Sequence, residues 1–177
     1  GVLIFTETQD SLQTRIIEQL ELDVENRSNN IQDILNAQSV QITSLGFNQI
    51  IQRFVENSID SQTNEINTSP VFVERNHVDI ELDNFKHIDR NDAFYDYKII
   101  NKNGKVIYST DRTIEGNDFS QVPTFIRGLD TSFYTLGFDD SLSSKTTSIP
   151  DAPIYRLNQN SEVIGVIIAT GNISLVN

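Results

Sequence analysis

Two histidines, His77 and His87, are the only imidazoles in this 177-residue chain, and cysteine is absent. The missing thiols exclude disulfides, thiolate nucleophiles and Cys-ligated zinc. The histidines stand ten residues apart in a stretch of helical periodicity, a spacing that does not bring both to one metal ion, and each reads as a surface residue. Asp89, Asn91, Asp92 and Asp96, and separately Asp139 with Asp140, carry oxygens suited to calcium, but neither group has the glycine turn and closing glutamate of a calcium loop. In so acidic a chain they read as solvated faces. No G-x-x-x-x-G-K-[ST], G-x-G-x-x-G, G-x-S-x-G or H-E-x-x-H run occurs. The sequons at Asn26, Asn67 and Asn172 are matches expected by chance in a chain rich in Asn and Ser. No catalytic residue, metal set or cofactor is therefore expected, and the chain is not read as an enzyme.

The charge balance narrows the partners. Thirteen Lys and Arg against 25 Asp and Glu give a net charge of −12, which repels phosphate backbones, so nucleic acid is not an expected partner. The cleanest apolar run, Val163 to Ala169, is far shorter than the roughly 20 residues of a membrane helix. The absence of methionine and the opening Val2-Leu3-Ile4-Phe5 lead us to expect a piece of a longer protein, anchored by membrane helices just outside Gly1 and Asn177.

The elements follow from periodicity. Leu12, Ile16, Leu20, Val24, Ile31, Leu35, Ile42 and Leu45 recur at helical steps with neither proline nor internal glycine before Gly46, so a helix of some forty residues is expected. A rod that long cannot bury its stripe on a small domain, which predicts a homodimer through this helix. Phe47, Ile50, Ile51, Phe54, Val55 and Ile59 predict a second helix to about Asp60, and Val78, Leu82, Phe85 and Ile88 a third to about Arg90. From Phe94 the period becomes two. Asn103-Gly104 between alternating runs predicts a hairpin. A loop over 111–123, a helical turn over 124–129 and strands over 133–138, 145–157 and 162–170 follow. The last is apolar on both faces and so central, and Pro150 and Pro153 place a bend of the preceding strand at an edge or bulge. The fold class is α+β: residues 1–90 form the long N-terminal helix and accessory helices, 91–177 a five-stranded antiparallel sheet, together one structural unit.

The run Phe94 to Asp111, with its strand, Asn101-Lys102-Asn103-Gly104-Lys105-Val106 turn and closing Ser109-Thr110-Asp111, resembles the hairpin of Cache-type extracytoplasmic sensor domains, which have a PAS-like fold. Ile114-Glu115-Gly116-Asn117-Asp118-Phe119-Ser120 resembles the loop that follows in that family, and Phe125 to Leu129 its aromatic-led helix. Ser148 through Pro153-Ile154-Tyr155 and Val163-Ile164-Gly165-Val166-Ile167 resemble its last two strands. With no second N-G hairpin after the first, the layout is similar to the single-Cache type. Two departures stand out: Val122-Pro123-Thr124-Phe125 replaces the family's R-P-Y-F, and tryptophan is absent, so an amino-acid ligand is not expected.

The resemblance implies a ligand-sensing domain on the extracytoplasmic side of a membrane, most simply that of a sensor histidine kinase. A chemotaxis receptor's sensor domain and a non-catalytic surface stalk or adhesion module are the alternatives. A sheet with helices on one face leaves the other to be covered by residues 111–132, with a small-molecule pocket beneath. Tyr108, Phe119, Phe125, Arg127, Tyr134, Thr147 and Tyr155 are the side chains expected to line it. Arg127, taken as the one cation near it, would suit a carboxylate, so an organic acid or similar metabolite is the expected ligand.

Overall fold

The computed structural model describes residues 2–63, 73–89, 94–139 and 145–172. Helices α1 (Val2–Gly46), α2 (Gln49–Thr63) and α3 (Arg75–Asp89) precede strands β1 (Phe94–Asn101) and β2 (Val106–Ser109). A 3-10 turn (Arg112–Ile114) and the short helix α4 (Pro123–Gly128) lead to β3 (Phe133–Asp139), β4 (Lys145–Arg156) and β5 (Gln159–Asn172). The class is α+β, and the strands form one antiparallel sheet in the order β2-β1-β5-β4-β3. Among the described residues, no helix is long and apolar enough to cross a membrane.

At 1.5 Å per residue, the 45 residues of α1 span about 67 Å. Only its C-terminal part is seated: Leu35, Gln38, Ile42 and Leu45, one per turn, are buried, whereas residues 14–22 are exposed throughout. Asn48 then starts α2, its side-chain oxygen accepting from the Ile50 and Ile51 N–H groups while its amide donates to Glu81 of α3. Ile51, Val55 and Ile59 of α2 and Val78 and Leu82 of α3 join Ile42 and Leu45 in a core against Tyr97, Ile99, Ala152, Ile154 and Ile167 of the sheet.

The first hairpin turns where the sequence places it. The Asn101 side-chain oxygen accepts from the Asn103 and Lys105 N–H groups, and Gly104 takes φ +88°, a conformation glycine adopts at no steric cost. Its missing Cβ matters twice, because one would lie 2.6 Å from Ser120 Cα. A second hairpin, not anticipated from the sequence, joins β4 to β5 through Leu157-Asn158, with Asn158 at φ 64°. β5 is central, and Ile164, Val166, Ile167, Ile168 and Ala169 are buried from both sides. Of the edge or bulge expected at the prolines of β4, the edge does not hold, because β4 lies between β5 and β3. The β3 ladder ends at Phe133 opposite Asp151, so Pro153 stands beyond it, in a stretch paired on the β5 side alone. The irregularity follows at once, between Ile154 and Tyr155.

Candidate functional site

The sheet face turned away from α1 and α2 carries a second, smaller core. Ile100, Val106, Val166 and Ile168 are covered by Phe125, with Ile114, Phe119, Val122, Leu129 and Ile149 packed around them. The cover is the chain between β2 and β3. Its first part is zipped to the β2 edge: the Gly116 N–H donates to Val106 O (2.8 Å), the Val106 N–H to Asn117 O (3.0 Å) and the Phe119 N–H to Gly104 O (2.7 Å), which also satisfies an otherwise open strand edge. Its second part is α4, opened by Pro123 at the helix start, where a missing N–H costs nothing. Phe125 and Gly128 turn inward. A Cβ on Gly128 would meet Val166 Cγ1 at 2.5 Å and Asp151 Cγ at 3.5 Å, so the α4 backbone lies directly over β5 and β4.

Polar groups line the same face. The register pairs Ser109 with Lys98, Lys98 with Ile168 and Ile168 with Asp151, one row across β2, β1, β5 and β4. Beside it, Asp96 pairs with Thr170. Directly opposed residues share a face, so Ser109, Lys98, Asp96, Asp151 and Thr170 all stand on the covered side with Ile100. Lys98 Nζ and Asp96 Oδ2 form an ion pair at 2.5 Å, each side chain 18% exposed. Asp151 and Ser109 are wholly buried, Thr147 nearly so, and Ser109 Oγ has no hydrogen-bond partner among the described residues. An apolar centre under a cover, edged by a cation, two carboxylates and hydroxyls, is the make-up of a site that grips a small polar molecule by a few directed contacts.

Of the residues expected to line a pocket beneath residues 111–132, Phe119 and Phe125 pack in this second core, and Thr147 stands buried on the same face of β4. Tyr108 is not. It is buried on the helix side, its hydroxyl donating to Asp79 of α3 (2.6 Å), its ring edge-on to Phe54 and under the Arg75 guanidinium. The cause is a bulge between β1 and β2: Ile99 pairs with Tyr108 but Ile100 with Val106, so Ile107 is an extra residue and the alternation inverts across it. Burial, then the contact with Asp79, pushes the Tyr108 phenol well above its ordinary value. Tyr155 also lies elsewhere, stacked on Phe47 beyond the end of α1 with ring centroids 4.8 Å apart. Arg127 is exposed on α4, and Lys98 is a cation on the covered face. Tyr134 pairs with Pro150 in the β3–β4 ladder, and its side chain is outside the described residues. Sequence reading passed over Lys98 and Asp151 and set Asp96 in a solvated acidic face, where the structure instead pairs it with Lys98 at 18% exposure; strand order alone could have shown that this half of the strands is covered.

No family model matches the chain, and no curated protein does. Solved structures do. The sensor domain of the Vibrio cholerae histidine kinase DctB is similar at 16% identity with a TM-score of 0.50, over 89% of this chain and 57% of that one. The Escherichia coli DcuS sensor domain is similar at 13% identity with a TM-score of 0.51, over 83% of this chain and 94% of that one. The chain thus spans little more than half of the DctB domain and nearly all of the DcuS domain. At these identities the likeness is one of fold, shared with these two histidine-kinase sensor domains.

Proposed function

We propose that this chain is the ligand-sensing domain of a transmembrane signal-transduction receptor, on the extracytoplasmic side of the membrane, with a histidine kinase as its output. The observation that carries the reading is the covered sheet face, where Lys98, Asp96, Asp151 and Ser109 edge an apolar patch under α4. A cation, two carboxylates and a hydroxyl beside an apolar patch give a small polar molecule directed contacts as well as apolar ones. The sensor fold shared with the DctB and DcuS domains supports it. The ligand is a small metabolite that lays its apolar part on Phe119 and Phe125 and offers a carboxylate to Lys98, and hydrogen-bond donors to Asp151. Lys98 takes the role that sequence reading gave to Arg127. The exposed Ile16, Ile17, Leu20 and Leu22 of α1 support pairing with a second copy along the part of the rod that its own domain leaves bare.

A thermal-shift screen of small organic acids and related metabolites tests the reading. A ligand at a hundredfold excess over its Kd contributes about 2.7 kcal/mol, or a rise of roughly 5–11 °C for a domain of this size. A hit whose shift disappears in Lys98→Ala and persists in Arg127→Ala supports the site. A screen in which nothing moves the transition favours the stalk. The gene sequence downstream of Asn177 decides the output: a dimerisation and ATPase module for the kinase, a long Glu/Gln-rich coiled coil for the chemoreceptor.

A further inference from the structure

The cover leaves the sheet at one edge and returns at the other, since β2 and β3 are the two outer strands. At both edges it is fastened to a helix on the opposite face. At the β2 edge the fastener is Arg75, first residue of α3. Its Nε donates to Glu115 Oε1 of the cover (2.6 Å), its Nη2 to the Ser109 carbonyl of β2 (2.7 Å) and its Nη1 to Asp79 one turn along (2.9 Å). Glu115 Oε1 also accepts the Ser109 N–H at 3.1 Å. At the β3 edge the fastener is a hydroxyl pair, Thr43 Oγ1 and Ser132 Oγ at 2.7 Å. The Thr43 hydroxyl donates to Ser39 O within α1, so its proton is committed and Ser132 is the donor to Thr43.

We infer that residues 110–132 act as a strap buckled at both sheet edges, so that displacement of the strap is shared with the start of α3 and the end of α1 and reaches α1 around the sheet. Arg75 and Ser132 are positioning residues in this device, and neither stands on the covered face with Lys98 and Asp151. The inference rests on the reading above only for what moves the strap, a ligand beneath it. The coupling itself exists without one. An inward pull on α4 draws on Ser132, and through Thr43 on the last turns of α1, where Ile42 and Leu45 are the seated residues.

A double-mutant cycle read by hydrogen exchange tests it on the whole chain without ligand. Four strand spacings separate the edges, about 19 Å, and substitutions that far apart normally multiply in their effects to within about twofold. Arg75→Ala should speed exchange in residues 111–122 and at the start of α3 about tenfold or more, as expected on losing charge-assisted bonds. Ser132→Ala should speed it severalfold in 123–132 and at the end of α1. In the double variant the strap's acceleration should depart from the product by more than about threefold, while the centre of β5 stays as protected as in the parent. Where Arg75→Ala fails to fold, Arg75→Lys replaces it, retaining the charge without the fork that binds three partners. Effects that multiply, or a strap that exchanges faster with neither helix following, overturn the inference. The sensor reading fails separately, in a ligand screen without a hit, and that result leaves the cycle's outcome standing.

Discussion

Gly46 closes α1 where the helix lands on β4, and replacing it with alanine probes that landing. A Cβ there would lie 2.1 Å from Pro153 O and 3.3 Å from its carbonyl carbon. Ordinary contact begins near 3.4 Å, so the oxygen must recede by 1.3 Å. Neither side can yield as a flexible side-chain end would. The oxygen belongs to a strand held by β5 across Pro153 and Val166, and the helix end carries Leu45 and Ile42, both fully buried. Overpacking of a core costs about 1–3 kcal/mol, and lifting two seated residues puts this case at the upper end. Alanine's better helix propensity returns at most about 1 kcal/mol. A net loss of about 2 kcal/mol corresponds to a melting temperature lower by about 4–8 °C for a chain of this length, read by circular dichroism at 222 nm and checked by urea unfolding. Gly116→Ala is the comparison: with φ +91° and nothing within 4 Å of its added Cβ, it bears only backbone strain of about 1–2 kcal/mol. A Gly46→Ala melt within 1 °C of the parent, or above that of Gly116→Ala, would refute the tight seating of α1 on β4.

Two further outcomes concern ionisation. Burial raises both the Tyr97 and Tyr108 phenols, so each favours the folded state fully below the ordinary value of 10.0, and that contribution is lost as pH rises beyond it. Unfolding free energies from urea titrations upward from pH 9 should fall above pH 10 by up to about 1.4 kcal/mol per pH unit for each phenol, less steeply in Tyr108→Phe, and equal slopes in parent and variant would contradict the burial of that hydroxyl. At the β4–β5 hairpin, Arg156 reaches both Glu162 oxygens, at 2.7 and 3.2 Å, and holds its carboxyl below the usual value of 4.5; the stabilisation is present above that value and is lost as acid takes the pH through the lowered one. A carboxyl-carbon NMR titration should show a depressed midpoint that rises in Arg156→Gln, and an unmoved midpoint would remove the pair.

The sequence is most legible where one residue decides one local conformation. Gly104 specifies the first turn through its positive φ, and the unbroken run from Val163 to Ala169 reveals a strand buried from both sides. The stripe of Ile51, Val55 and Ile59 in α2 is read equally well, since each position is buried against the sheet. What escapes is whatever depends on a long-range pairing. One bulge residue, Ile107, sends Tyr108 to the helix side, against the alternation visible in the sequence. Of the three partners of the Arg75 fork, only Asp79, one turn along, is visible nearby in the sequence; the two that fasten the cover lie 34 and 40 residues away. Asn158 could have been found, because asparagine tolerates a left-handed turn, but Pro150 and Pro153 drew attention to the strand before it.

The seat of α1 explains why a device of this kind can work on so rigid a sheet. Every strand between the two edges is hydrogen-bonded on both sides, so the sheet moves as a body. By contrast, α1 rests on the domain through one narrow stripe. Within it, the buried Gln38 accepts a hydrogen bond from Ser148 of β4, a contact that fixes the register of helix on strand. Its amide nitrogen is buried with no partner among the described residues, and an unsatisfied buried donor costs about 1–3 kcal/mol. The seating is therefore specific in register yet not optimal in energy. A small displacement that gives that nitrogen a partner or a water recovers part of this cost, which narrows the gap between two seatings. A strap pulling on Thr43 would act little more than one turn from Gln38 and its unsatisfied nitrogen, and interfaces that switch do so by shifts of an ångström or two.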